Sequence, residues 1–334
     1  MGHPQTGPDP IAAPSWQQIA EAHARIAPRI HRTPVLTSQT MDRLAGAQLF
    51  VKCENLQKTG SFKIRGASNA ILSLSDSDAG RGIVTQSSGN HGAAVACAAA
   101  WRGATAWIVM PRNAPRVKCE AVAAYGGKIV LCEPTMTARK EAAAKIQAET
   151  GAVLVHPYDD DRIIAGQATA AKELLEEVPD LDAILAPVSG GGLLSGTCLS
   201  ARHMKPEIRL FGGEPAKADD AYQSIKTGQL QPLDSSDTIA DGLRAPLAPR
   251  TFAILRRELS GVLLVSEEEI IAAMRLLWER MKIVVEPSSS VVLAPLIKEG
   301  GVASLQMPAR ADGGKPRIGV ILSGGNVDLS ALPF

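Results

Sequence analysis

Lys63 stands in the stretch Lys-Thr-Gly-Ser-Phe-Lys-Ile-Arg-Gly-Ala-Ser-Asn-Ala (58–70), a long cation among small residues. Most lysines are exposed, and a helix beginning near Ser61 would give Lys63 that ordinary place. The chemical alternative is a lysine whose pKa is lowered by desolvation, which makes it a nucleophile able to form a Schiff base. Three polar, glycine-bearing loops accompany it: Ser87-Ser88-Gly89-Asn90-His91-Gly92, Ser189-Gly190-Gly191-Gly192 and Ser323-Gly324-Gly325-Asn326. A glycine run between a strand and a helix N-terminus leaves backbone N–H groups free to face an anion. Ser189 to Gly192 is therefore expected to cradle a phosphate, with a ligand-free tight turn as an even alternative for so short a motif. A nucleophilic lysine and a phosphate cradle together suit a phosphorylated aldehyde, pyridoxal phosphate (PLP), with Phe62 offering an apolar face to its ring.

These residues need elements to hold them. From Gly82 onward, β-branched runs alternate with Ala-rich segments: GIVTQ then NHGAAVACAAAWRG, ATAWIVM then APRVKCEAVAAYGG, KIVLC then TARKEAAAKIQAETG, and AVLVHP to close. The alternation resumes with DAILAPV, LLSGTCLSARHM, IRLFGGEP and RIGVIL. Strand–helix alternation predicts an α/β fold with parallel or mixed sheets flanked by helices. Two series predict two domains with a cleft at the carboxyl ends of the strands, where the glycine loops collect. The expected division is a disordered tail over 1–14, a large cofactor-binding domain of 15–80 plus 157–334, and a small mobile domain of 81–156.

Bulk properties narrow the partners. Lys plus Arg is 35 against Asp plus Glu at 34 in 334 residues, so no strong field attracts nucleic acid or anionic lipid. No apolar run reaches the roughly 18 residues needed to span a bilayer, and the start, MGHPQTGPDP, does not read as a signal peptide. Five cysteines without a C-x-x-C spacing suit reduced thiols in a cytoplasmic protein rather than a disulfide frame or zinc site.

The segments KTGSFKIRGA, SSGNHG, SGGGLLSG and LSGGN resemble, in that order, the motifs of the fold-type II PLP enzymes, which share a tryptophan synthase β-like fold. The branch they resemble is the serine/threonine dehydratases (ammonia-lyases) and serine racemases, from about Ile19 to Asp328. Cysteine synthases of that fold carry a different lysine segment, which disfavours β-replacement. The resemblance implies that Lys63 carries PLP and acts as base at the substrate's α-carbon. It places Phe62 at the ring, Asn90 on the ring oxygen, Ser189, Gly190, Gly191, Gly192 and Leu193 around the phosphate, and Ser323 at the pyridine nitrogen. Ser87, Ser88, Asn90 and His91 are implied for the substrate's α-carboxylate. Ser88 matches the racemases' second acid/base, where dehydratases often have Ala, so racemisation stays open beside elimination. Two departures point the other way: Ala245 replaces a serine, and Ala93 a glutamine that touches an activating nucleotide in the animal racemase. ATP activation is accordingly not expected, and IADGLRAPLAPRTF is more dehydratase-like.

The same resemblance implies a Mg²⁺ or Ca²⁺ site at Glu214, Asp220 and the Ala218 carbonyl, oxygen ligands that suit a hard ion; a solvated acidic loop is the plain alternative. It also implies that Arg139 reaches a substrate side-chain carboxylate, which would favour 3-hydroxyaspartate. His156 and the remaining histidines read as structural, and Glu286 as a first-turn acid favouring its helix dipole or facing the cofactor. The expected activity is PLP-dependent conversion of a β-hydroxy-α-amino acid (serine, threonine, 3-hydroxyaspartate or a phenylserine) to a 2-oxo acid and ammonia. The alternatives are a racemase, a bifunctional enzyme, or a phosphate-binding α/β protein without PLP chemistry. A homodimer is implied by the family, and an isoleucine-regulated C-terminal domain is not expected.

Overall fold

The computed structural model describes residues 13–87, 89–114 and 116–334. The expected disordered tail therefore falls almost wholly outside the described residues.

Two sheets organise the chain. The larger has the order β1-β2-β10-β7-β8-β9, built from β1 (Val35–Leu36), β2 (Gln48–Cys53), β7 (Ala183–Pro187), β8 (Arg209–Pro215), β9 (Gly261–Val265) and β10 (Arg317–Leu322). Only β1 runs antiparallel, pairing Val35 with Lys52, so the sheet is mixed. The smaller sheet, β5-β4-β3-β6, is wholly parallel and comprises β3 (Ile83–Gln86), β4 (Ala106–Pro111), β5 (Lys128–Cys132) and β6 (Val153–Leu154).

Strand periodicity assigns alternate residues to opposite faces, and helices cover both. Ala183 and Leu185 join Leu49, Val51, Ile318 and Val320 in one core, while Ile184 and Ala186 join Leu193, Leu194 and Cys198 in another. In the smaller sheet Ile83 faces the helix Asn90–Arg102 and Val84 faces the helix Met136–Thr150. Burial of an aliphatic side chain of this kind contributes roughly 1.5–3 kcal/mol, so these cores fix the strand ends that carry the loops.

The helix Lys63–Leu72 lies between the two systems. Its Ile64, Ala67, Ala70 and Ile71 pack with Ala93–Ala99 of the Asn90 helix. On another side it crosses the helix Asp161–Glu177 at Gly66 and Gly166, where a Cβ on Gly166 would lie 2.6 Å from the Gly66 Cα. The lysine helix has no side-chain N-cap, and the Phe62 N–H donates instead to the Ser323 carbonyl at 2.9 Å. That bond ties the lysine segment to the loop after β10. Among the described residues no helix is long and apolar enough to cross a membrane.

Candidate active site

The amine of Lys63 is drawn inward. Its Nζ donates to the Pro157 carbonyl at 3.2 Å and sits 5.1 Å from the centre of the Phe62 ring. Burial lowers its pKa from 10.5 to about 8, with the charge of Glu286 acting in the opposite direction. Lys63 is half-buried, with its amine turned toward the Pro157 carbonyl rather than toward solvent.

The loop after β10 closes over the lysine segment. Gly325 N–H donates to the Gly60 carbonyl, Ser61 bridges Gly324, and Asn326 Nδ2 donates to the Thr59 carbonyl and to Asn90 Oδ1. Gly60 has φ +71° and a Cβ there would meet Asn326 Oδ1 at 2.3 Å, so the approach requires glycine. The Ser323 hydroxyl is buried and lies 3.1 Å from the Ser289 hydroxyl, itself held by Gly324. No carboxylate takes part in this pair.

Asn90 opens its helix and is oriented by both ends of its amide. Its Nδ2 donates to both carboxylate oxygens of Glu286 at 3.0 Å, while Oδ1 accepts from Asn326 at 2.9 Å. Glu286 is 3% exposed, and burial raises its pKa to about 7, opposed by the Asn90 hydrogen bond. His91 is also buried, with Nε2 3.2 Å from the Val155 carbonyl and Nδ1 lacking a partner among the described residues. Burial, then the Lys63 charge, lower its pKa to about 3, so the ring is neutral. A carbonyl only accepts, so Nε2 carries the proton and Nδ1 a lone pair. Ser87 accepts from the Gly89 N–H at 3.3 Å; Ser88 lies outside the described residues.

The second glycine loop leads into the helix Gly192–Met204, capped by Gly191 at φ +87°. No side chain caps it, and the N–H groups of Gly191, Gly192 and Leu193 have no partner among the described residues. A Cβ at Gly190 would fall 2.4 Å from the Tyr158 ring and one at Gly191 2.7 Å from Thr251, so bare backbone is required here. These are the free N–H groups and helix N-terminus that a phosphate needs. Ser189 sits at the rim, its hydroxyl bound to both backbone groups of Ala245.

Two further expected groups are the acidic pair and Arg139. Glu214 accepts from the Ala221 and Tyr222 N–H groups and Asp220 from Leu247, beside buried Ala218. Burial pushes Glu214 up to about 9 and Asp220 to about 6. Two desolvated carboxylates of this kind favour a cation, although no cluster of three acidic, His or Cys ligands occurs among the described residues. Arg139 lies in the first turn of the helix Met136–Thr150; its Nε is buried without a partner. Gln86, which shares the Val84 face by strand alternation, has an equally orphaned buried Oε1.

The structure adds residues for which the sequence suggested no role. Pro157 receives Lys63, Ser289 partners Ser323, and Tyr158 covers the second glycine loop. His156 packs edge-on against Tyr158 and its pKa is lowered by burial, with Lys63 adding to the effect. No local signal marks these, since each acts through a partner distant in sequence.

The Pyridoxal-phosphate dependent enzyme family matches residues 26–324. This chain belongs to that family. As a PLP-dependent enzyme it is 48% identical over 321 residues to the beta-hydroxyaspartate dehydratase of Paracoccus denitrificans (strain Pd 1222), covering 96% of this chain and 99% of the relative. It is 49% identical over 314 residues to a serine racemase of Arabidopsis thaliana, covering 94% and 93%. Among solved structures, the serine racemase of Dictyostelium discoideum aligns with a TM-score of 0.89 at 46% identity, covering 95% of this chain and all of that one. The PLP-dependent enzymes thus account for the fold, and the unpartnered N–H cradle and desolvated Lys63 amine fit the family's cofactor.

Proposed function

We propose that this enzyme is a dehydratase of β-hydroxy-α-amino acids, forming a 2-oxo acid and ammonia, with 3-hydroxyaspartate as the preferred substrate. The observation that carries the reading is the buried Ser323–Ser289 hydroxyl pair, 3.1 Å apart, beside the lysine segment. In the place that the resemblance gives to the cofactor's ring nitrogen stands a neutral hydroxyl and no acid. PLP bound there supplies a sink for the electron pair released at the substrate's α-carbon. A neutral partner limits that sink, so prompt loss of a β-hydroxyl is favoured over chemistry that stores a full carbanion.

The chain's own groups take the following parts. Lys63 would hold the cofactor and then take the α-proton on Nζ, which its lowered pKa leaves substantially neutral near pH 8. Gly190, Gly191, Gly192 and Leu193 would hold the phosphate, with Ser189 at the rim, Phe62 against the ring and Asn90 on the ring oxygen. Ser87, Asn90 and the loop through Ser88 and His91 would take the α-carboxylate. The orphaned Arg139 Nε, a charged donor without a partner among the described residues, supports recognition of a side-chain carboxylate. Glu214, Asp220 and the Ala218 carbonyl would take one Mg²⁺ or Ca²⁺.

The sheet containing β3 to β6 would move as a small domain of residues 81–156. The contacts of Asn90 with Glu286 and of Lys118 with Asp241 support closure, because they join it to segments outside residues 81–156. A homodimer and a cytoplasmic location rest on the resemblance, with five free thiols consistent with a reducing compartment.

The test is a substrate panel of 3-hydroxyaspartate, serine, threonine and phenylserine, scored for 2-oxo acid and ammonia. Highest kcat/KM on 3-hydroxyaspartate is expected; turnover of none of the four overturns the proposal. Racemisation is the second reading, favoured by Ser88 and by the Arabidopsis relative. Accumulation of D-serine from L-serine faster than pyruvate would establish it instead.

A further inference from the structure

On the side of the lysine helix away from the cleft, Lys52, Glu54, Arg65 and Glu173 are buried together, none more than 1% exposed. Their formal charges cancel. Arg65 Nε and Nη2 donate to the two oxygens of Glu54 at 2.7 and 2.8 Å. Its Nη1 donates to Glu173 Oε1 at 2.9 Å and to Thr169 at 3.1 Å, and Nη2 donates also to Glu173 Oε2 at 2.8 Å. A guanidinium has five N–H donors, and all five are used. Lys52 completes the set, donating to Glu173 Oε2 and to the Thr33 carbonyl at 2.7 Å, while Thr33 donates to Glu54 and His23 Nε2 lies 3.5 Å from Glu173.

Such a cluster is a poor device for stability alone. Desolvating four charges is costly, and apolar residues of the same volume do as well or better. A planar fork satisfied on every donor does supply something an apolar contact lacks, which is angular definition. The lysine helix needs it. Its first turn has no side-chain cap, and the Gly66–Gly166 crossing sets its distance from the helix Asp161–Glu177 without fixing rotation about its own axis. Arg65 follows Lys63 by two residues, about 200° around the helix, so the two side chains leave opposite faces. Any roll that displaced Lys63 Nζ from the Pro157 carbonyl would break the fork on the far side.

We propose that Arg65 is a positioning residue for Lys63: its five-bond anchorage to Glu54, Glu173 and Thr169 fixes the rotation of the lysine helix and so the place of the amine in the cleft. The inference rests on the reading of Lys63 as the cofactor lysine.

Two variants of the holoenzyme test it. Arg65→Met with Glu54→Gln removes one charge of each sign and leaves the Lys52–Glu173 pair balanced. Arg65→Lys keeps the charge but cannot form the fork. In both, the visible absorption band of the bound cofactor is expected to change its pH midpoint, and kcat to fall roughly 10- to 100-fold, the loss expected of a misplaced reacting group. KM should change less than kcat, and Arg65→Lys should be the milder of the two. A purely structural cluster would lower the melting temperature and leave the band and kcat of the folded enzyme as in the parent, and that result overturns the proposal. Should the double variant not fold, Arg65→Lys decides by the same criteria. A parent protein that shows no band at all contradicts the cofactor reading instead, so the two failures are distinct.

Discussion

Replacing Glu286 by Gln should make the protein more stable above neutral pH while removing a proton that its cleft holds. Glu286 is 3% exposed, and burial raises its pKa from 4.5 to about 7. The groups facing it are Asn90, Asp241, Lys118 and Lys63, of which Asp241 reinforces the rise while Lys118 and the Asn90 hydrogen bond oppose it. Between pH 4.5 and 7 the unfolded chain releases a proton that the folded chain keeps. Stability from this group is therefore complete below pH 4.5 and is lost as pH rises through about 7. At about 1.4 kcal/mol per pH unit, the loss is about 3 kcal/mol. Gln keeps an acceptor for Asn90 Nδ2 and has no proton to release, so its profile lacks that fall. Urea unfolding of the parent and of Glu286→Gln at pH 5, 6.5 and 8 measures the difference directly. The variant should match or trail the parent at pH 5 and exceed it by up to about 3 kcal/mol at pH 8. Parallel profiles across the three pH values would refute the assignment of that proton to Glu286.

Other outcomes follow from the same geometry. Gly191→Ala places a Cβ 2.7 Å from Thr251 at φ +87°; it should lose about 1–2 kcal/mol from backbone strain alone and release cofactor on dialysis, read by absorbance. Arg139→Ala should lower the ratio of kcat/KM for 3-hydroxyaspartate over serine at least tenfold, about 1.4 kcal/mol of discrimination, and an unchanged ratio would remove Arg139 from substrate recognition. Mg²⁺ or Ca²⁺ should raise the melting temperature of the parent by binding only the folded state. The same ions should leave Glu214→Gln unmoved, which thermal scans with and without EDTA can show.

The sequence exposed what chemistry constrains locally. The three glycine loops follow β3, β7 and β10 as their composition indicates; the first two turn directly into helices, where bare N–H groups tolerate little else. The alternating runs from β3 to β8 were legible for the same reason, their periodicity being set by faces that helices cover. β2 was not legible. Its Lys52 is fully buried, and a charged residue in a short run argues against an interior strand unless its partner, Glu173, 121 residues away, is known. Arg65 and Glu54 look like surface charges for the same reason. Asn90 was identifiable from its motif, but its orientation depends on Glu286, 196 residues later, and on Asn326. For Lys63 the small neighbours are visible in the sequence, but the burial that lowers the pKa of its amine depends on Pro157, 94 residues later.

Whether the Lys63 amine carries the cofactor of this PLP-dependent enzyme is decided by the visible absorption spectrum of the purified protein beside Lys63→Ala. A band that changes when 3-hydroxyaspartate is added is expected in the parent, and no such band in the variant after equal exposure to PLP. A band that persists unchanged in Lys63→Ala would contradict that expectation.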